Sequence, residues 1–400
     1  MQLKFKNGKF RVLQVSDPQD LQYVRPTMMR MLNKAYDDLK PDLIVLTGDN
    51  ILGNHLDDAR IYTPLIVKDK ESEMKAMGIA IDKLISPIEE RKIPFAMIYG
   101  NHDDRNRMTK EEQADFYRSY SCNIGLDGTD SGDCDTYNIP IYSEDGEKVK
   151  FNIWMLDSAW HDKEQDKCFE YIKPQAVEWY KKTSARLKEE NGGQVVPSIM
   201  FQHIPMIETL ELIEECDKTY EGAVPGPDGK FFKLKDECGG FLGEYVSAVS
   251  EKTGQMEAIK ECGDVKAVVF GHDHQNCFTG VVDGIQLIQT PCTSFRCYGN
   301  RKRGVRVFDI DEATGDFDTF VLTYDDIVGK SLWNDFCYLW DADDMWKKKA
   351  ALIAGVAGAA VLGIGAGIGI ALKKRKCVCG YELQCYFTQR RKYCCAPEHY

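Results

Sequence analysis

Short apolar runs alternate with amphipathic helical patterns along the first third of the chain. Residues 10–15, 43–46 and 95–98 read as strands, and 26–39 and 72–90 as helices. That alternation predicts βαβ units around a largely parallel sheet. Each strand runs into a polar cluster: Ser16-Asp17, Gly48-Asp49-Asn50 and Gly100-Asn101-His102-Asp103. In open α/β sheets the loops beyond the carboxyl ends of the strands converge on a ligand, so these clusters mark where chemistry is expected.

Further along, 151–156 and 196–201 read as strands around a helix from 174 to about 190. Residues 216–243, rich in glycine, proline and charge, predict a long surface loop or an insertion. Strands resume at 265–270, 280–289, 305–310 and 317–323 and predict a second, mixed or antiparallel sheet. The chain shows no internal repeat.

Near residue 332 the pattern changes. Residues 332–346 mix aromatic and acidic side chains, and 350–372 then runs for 23 residues without a charged or strongly polar one, between lysines at 347–349 and a basic run at 373–376. About 20 apolar residues cross a bilayer core, so 350–372 predicts one transmembrane helix, with Trp346 and the flanking lysines at the interfaces. The run also holds six glycines and eight alanines. Gly363, Gly365, Gly367 and Gly369 include overlapping GxxxG spacings that permit self-association; a flexible or buried Ala/Gly-rich helix is the alternative. The expected plan is a main domain over 1–330, a juxtamembrane linker over 331–349, the span, and a basic, Cys-rich tail over 373–400.

The composition is that of a globular protein, 43% hydrophobic and 28% charged, with a net charge of −12. Nucleic-acid binding draws on a basic face that displaces counterions, so no nucleic-acid partner is expected. A phosphorylated small molecule or phosphoprotein remains compatible where metal ions supply positive charge. Ten of the fifteen cysteines are scattered up to Cys337 and read as reduced, small hydrophobes. The other five fall in the last 24 residues, where zinc binding, acylation and disulfides stay open. Basic residues after the apolar run outnumber those before it, which favours a cytosolic tail. The first ten residues contain no signal-peptide core, which favours a cytosolic main domain on a C-terminal membrane anchor, and that is the expectation.

The strand-end clusters supply the materials of a two-metal site: Asp17-Pro18-Gln19, Asp49, Asn101-His102-Asp103, Gln202-His203-Ile204-Pro205 and Gly271-His272-Asp273-His274. Two ions about 3.5–4 Å apart, held by carboxylates, amides and imidazoles, activate water and stabilise an in-line displacement at phosphorus. A lone Gly-Asp is usually a turn and a lone histidine usually core, but the ordered set, each piece after its own strand, is specific.

Together these motifs resemble the calcineurin-like metallophosphoesterase superfamily over roughly residues 9–324. Thr136-Tyr137-Asn138-Ile139-Pro140-Ile141, Leu156-Asp157-Ser158 and Phe201-Gln202-His203-Ile204-Pro205-Met206 resemble the branch containing the Dcr2-like and purple-acid-phosphatase-29-like phosphatases. The resemblance implies a four-layer α/β/β/α sandwich. It also implies a first metal on Asp17 and His274, a bridging Asp49, and a second metal on Asn101, His203 and His272. His102 would contact the phosphate and protonate the leaving group, with Asp103 orienting its ring. Two residues depart from the pattern. Gln19 stands where a histidine ligand is usual; an amide oxygen still ligates and shifts preference toward harder ions. Leu52 replaces the tyrosine of ferric purple enzymes.

The expected function is hydrolysis of a phosphate ester by a two-metal-activated water, first as a phosphomonoesterase. The alternatives are a phosphodiesterase or nuclease of the same fold, or a non-catalytic membrane scaffold degraded at Gln19. The cofactors would be two divalent ions from among Mn, Fe, Zn and Mg, with Mn favoured. Arg105 is a candidate phosphate clamp; Arg107, His55 and His161 are weaker candidates.

Overall fold

The computed structural model describes residues 2–56, 67–127, 131–343 and 348. An edge strand, β1 (Leu3–Lys4), precedes β2 (Lys9–Val15). Helix α1 (Pro26–Leu39) begins at a proline, whose missing N–H costs nothing in a first turn, and buries Met28, Met31, Leu32, Ala35 and Tyr36. Strand β3 (Leu43–Thr47) is buried throughout, as a parallel strand covered on both faces should be. Helix α2 (Lys70–Glu90) starts two residues before the expected position because Asp69 caps it, its carboxylate accepting from Ser72 N. Then come β4 (Phe95–Ile98) and α3 (Lys110–Arg118). The latter was not anticipated, although Thr109 and Glu112 form its reciprocal cap and Thr-x-x-Glu is the sequence signature of one.

The middle of the chain supplies β5 (Tyr137–Tyr142), β6 (Val149–Leu156), the hairpin β7 (Trp160–Asp162) and β8 (Lys167–Phe169), α4 (Pro174–Glu190) and β9 (Ser198–Gln202). The expected loop at 216–243 carries structure. Strands β10 (Ile213–Cys216), β11 (Val224–Pro225) and β12 (Phe231–Leu234) form a small antiparallel sheet, and β13 (Gly239–Phe241) pairs with a main-sheet edge. Helix α5 (Gln255–Cys262), β14 (Val265–Phe270), β15 (Cys277–Val282) and β16 (Ile285–Gln289) follow. The single strand expected at 280–289 is thus part of a hairpin. Its turn, Asp283-Gly284, has φ of 53° and 83°, the left-handed pair that Asp-Gly favours in two-residue hairpin loops. The chain continues with β17 (Gly304–Asp311), β18 (Phe317–Thr323), α6 (Tyr324–Val328) and α7 (Leu332–Asp341).

Two sheets result. One has the order β18-β17-β2-β3-β4 and the other β1-β5-β6-β9-β14-β16-β15-β13. The late strands therefore do not all form the second sheet as anticipated: β17 pairs antiparallel with β2, setting Val307 opposite Leu13, and completes the first. Alternate residues separate two cores. Ile153, Phe201 and Val269 pack with residues of the first sheet and of α1 and α2, and Phe201 meets Phe308 edge to face at 5.6 Å. Their neighbours Trp154, Met200 and Val268 pack under α4 and α5. This is the expected α/β/β/α layering.

The chain divides into two compact units, Met1–Lys347 and Lys348–Tyr400; apart from Lys348 the second lies outside the described residues. The expected linker at 331–349 contains α7, which belongs to the first unit. The transmembrane helix expected at 350–372 is corrected: among the described residues no helix is long and apolar enough to cross a membrane, and 350–372 itself lies outside them. Length and absence of charge were the signals for that span, and an uncharged run rich in glycine and alanine is equally the signature of the non-membrane alternative. The membrane localisation inferred from that span is withdrawn with it. The glycine spacing at 363–369 and the cysteine-rich tail also lie outside the described residues.

Candidate metal centre

The polar clusters converge beyond the carboxyl ends of β2, β3, β4, β9 and β14. Tight turns aim them: Asp17 and Asp49 both have φ of 49° and His272 has 70°, left-handed values that are uncommon for residues with a Cβ. Gly100 is required by proximity, since a Cβ there would lie 2.2 Å from Asp49 Oδ1 and 2.7 Å from His203 Nε2.

Asp49, His203 and His272 offer donor atoms within 4.8 Å of one another. His203 Nε2 lies 3.5 Å from Asp49 Oδ2, 4.0 Å from Asp17 Oδ1 and 3.2 Å from Asn101 Oδ1. His274 Nε2 lies 3.7 Å from Asp17 Oδ1. The far ring nitrogens are anchored on backbone carbonyls: His203 Nδ1 on Thr47 O at 2.9 Å and His274 Nδ1 on Tyr298 O at 2.8 Å. Donation from Nδ1 fixes the tautomer and turns the Nε2 lone pair inward, which is the arrangement of ligating histidines. Gln19 Nε2 donates to Asp49 Oδ2 at 2.8 Å, while Gln19 Oε1 is buried with no donor among the described residues.

The charges are unbalanced. Burial raises the Asp17 carboxyl to about 7 against the pull of His203. Burial also opposes ionisation of Asp49, but His203 and His102 hold it well below the usual carboxylate range. Burial lowers His203, yet Asp49 and Asp17 overcome it and hold the imidazole charged to about 10. Burial lowers His272 strongly and brings His274 to about 4. Hard oxygens, inward imidazoles and an orphaned buried amide oxygen fit divalent cations, which would replace the proton on His203.

The acid side of the site differs from expectation. Asp103 is buried and raised to about 7 by that burial and by Asp49. Its carboxylate accepts from Gly100 N at 2.8 Å, Ile51 N at 2.9 Å and Asn50 N at 3.1 Å, so it braces the Asp49 and Asn101 loops, and among the described residues it takes no bond from the His102 ring. That bond goes to Asn54, whose Oδ1 is 2.9 Å from His102 Nδ1. Asn54 sits in a single 3₁₀ turn, Gly53–His55. Burial lowers His102. Arg105 reaches Glu170 at 3.8 Å and keeps a buried Nε without a partner among the described residues. Arg107 pairs with Glu73 at 2.7 Å, and His161 Nε2 lies 3.1 Å from Asp166; neither joins the cluster.

Three supporting residues escaped the sequence reading. They are Asn54, Ser158, whose hydroxyl accepts from His203 N at 3.1 Å and Ile204 N at 2.9 Å, and Tyr298, stacked on His274 at 4.3 Å. Only Ser158 had a signal, in Leu156-Asp157-Ser158; the other two are fixed by tertiary contact.

Residues 10–276 match the family model described as calcineurin-like phosphoesterase. The chain belongs to that family. This calcineurin-like phosphoesterase is 26% identical over 344 residues to probable inactive purple acid phosphatase 29 of Arabidopsis thaliana, covering 76% of the present chain and 77% of the relative. It is 22% identical to phosphatase DCR2 of Saccharomyces cerevisiae, covering 76% and 52% of the two chains. Among solved structures, a dimetal phosphatase from Danio rerio aligns at 12% identity with a TM-score of 0.44, covering 79% of this phosphoesterase and 99% of that chain.

Proposed function

We propose that this phosphoesterase hydrolyses phosphate monoesters, borne on a small molecule or a protein, with two divalent metal ions. The reading rests on the convergence of Asp49, His203 and His272 within 4.8 Å, with Asp17 and His274 alongside. Asp17, Gln19 and His274 would hold one ion, Asn101, His203 and His272 the other, and Asp49 both. When bound, the ions supply the Lewis acidity that activates water and neutralises phosphate charge; four oxygen donors against three imidazoles favour manganese.

The remaining steps belong to side chains. Asn54 accepts the Nδ1 proton of His102, leaving Nε2 to protonate the departing oxygen. Burial works against that proton, and a bound phosphate anion restores it, because an opposite charge nearby favours the imidazolium. Arg105, loosely paired at 3.8 Å, has the planar fork that grips phosphate oxygens.

A second reading, a non-catalytic scaffold, draws on Gln19 and on a plant relative named as probably inactive. The test is hydrolysis of p-nitrophenyl phosphate and its bis ester by the full chain with Mn²⁺, beside Asp49→Asn and His102→Ala. Monoester turnover lost in Asp49→Asn supports the proposal. Preference for the bis ester makes the enzyme a diesterase. No turnover from folded protein with any divalent ion favours the scaffold.

A further inference from the structure

Among the described residues, the ligands assigned to the first metal share a support that those of the second lack. One loop, 292–303, touches them at its start and again at its middle. Thr293 N donates to Ser16 O at 2.8 Å and Ser294 N to Asp17 O at 3.0 Å, Ser294 Oγ donates to Gln19 O at 3.2 Å, and Cys292 N donates to His274 O at 3.2 Å. Tyr298 then accepts from His274 Nδ1 and stacks on its ring. His203, by contrast, is held by Thr47 and Ser158.

The same loop is held from behind by α7. The Tyr338 hydroxyl donates to Asn300 O at 2.8 Å and accepts from Arg303 Nη1 at 2.5 Å. Its ring packs edge to face on Phe295 at 5.2 Å and on Tyr324 at 5.3 Å. Arg303 is fully buried and lays its guanidinium over the Phe295 ring, 4.9 Å from the centroid. Around this knot, α7 is fixed to α1: Asp341 accepts from Thr27 N at 2.8 Å and Asn334 from Arg30 at 2.8 Å. Asp343 N closes on Phe295 O at 3.0 Å.

We propose that Tyr338 is a positioning residue for the first metal: through Asn300, Arg303 and Phe295 it sets the 292–303 loop, and the loop sets Asp17, Gln19 and His274. The inference rests on the two-metal reading above. It makes α7 part of the metal centre's support, so a chain ended at residue 330 lacks an element the first ion needs. Tyr338 touches neither metal nor substrate. Supporting partners of ligating side chains typically change metal affinity about 10–100-fold.

The test is Mn²⁺ binding by the full chain, followed by calorimetry and electron paramagnetic resonance, with folding checked by circular dichroism. Wild type should take two ions and show the spin-coupled pair. Tyr338→Ala should bind one ion as before and the other about 10–100-fold more weakly, with the coupled signal giving way to that of isolated Mn²⁺. Tyr338→Phe, which keeps the ring and loses the two hydroxyl bonds, should lie between and covers the case in which the alanine variant does not fold. Two ions bound with unchanged affinities in Tyr338→Phe and in any folded Tyr338→Ala would overturn the inference and leave the two-metal reading intact. Equal weakening of both sites would overturn it in favour of a general loss of packing. A wild type that binds no pair would overturn both.

Discussion

Asn54 Oδ1 lies 2.9 Å from His102 Nδ1, and this bond sets which ring nitrogen is free to meet a leaving group. The need for an acid depends on the leaving group: an alkoxide needs its proton, a nitrophenolate hardly does. Asn54→Ala should therefore lower kcat on an alkyl phosphate by about 10–100-fold, a fraction of the 10²–10⁴ a general acid contributes. It should leave p-nitrophenyl phosphate within about twofold of wild type. Comparing the two substrates checks this, and equal losses on both would remove Asn54 from that role.

Gln19 joins Asp49 through its amide nitrogen and leaves its oxygen buried with no partner among the described residues. As a ligand it should matter to one ion only. Gln19→Ala should weaken one Mn²⁺ site by about 10–100-fold with little change in melting temperature, while Gln19→His should retain the site and shift preference toward softer ions. Calorimetric titration with Mn²⁺ and Zn²⁺ measures both; an alanine variant with wild-type affinities would show that Gln19 merely fills space.

Much of this arrangement was legible because strand ends and candidate ligands coincide in sequence. The runs at 26–39, 95–98, 265–270 and 317–323 became elements with those bounds, since apolar periodicity and flanking polar clusters agreed there. The sheet membership of β17 was not legible, because an alternating strand does not state its neighbour. Asp103 illustrates a different limit. Its place beside His102 suggested a contact, but a buried carboxylate satisfies the nearest backbone donors first, and Asn54, 48 residues away, took the ring. At 350–372 the expectation rested on length and absence of charge alone, and those residues lie outside the described ones.

His203 holds a proton to about pH 10 when Asp49 and Asp17 are its only counter-charges. A metal ion must displace that proton, whereas Asp17, at about 7, has already lost its own by pH 8. Binding at pH 8 should release about one proton, and affinity should rise about tenfold per pH unit from 7 toward 10 before levelling. Calorimetry in buffers of different ionisation enthalpy reads the number directly; no release would mean that His203 is neutral before metal arrives.

Lys110 is buried 2.6 Å from Asp157 and 3.5 Å from Asp135, and donates to Ala159 O at 2.8 Å. Asp157 begins the turn whose Ser158 holds His203. Lys110→Met strands two buried carboxylates and should cost about 3–5 kcal/mol. Burial already raises Asp135 to about 7, so the folded variant takes up protons more readily than the unfolded chain. Its loss should therefore be larger at pH 8 than at pH 5. Urea denaturation at the two pH values tests the magnitude and the sign.

The function proposed above requires a pair of metal ions held by this ligand set in a working phosphoesterase. The most direct measurement is the metal content of the full chain after equilibrium dialysis against Mn²⁺, taken together with monoester turnover on the same sample. Wild type should hold two ions per chain and turn over the monoester, and Asp49→Asn should lose both properties under that function. One ion or none in folded wild-type protein, or two ions without turnover on any ester, would contradict it.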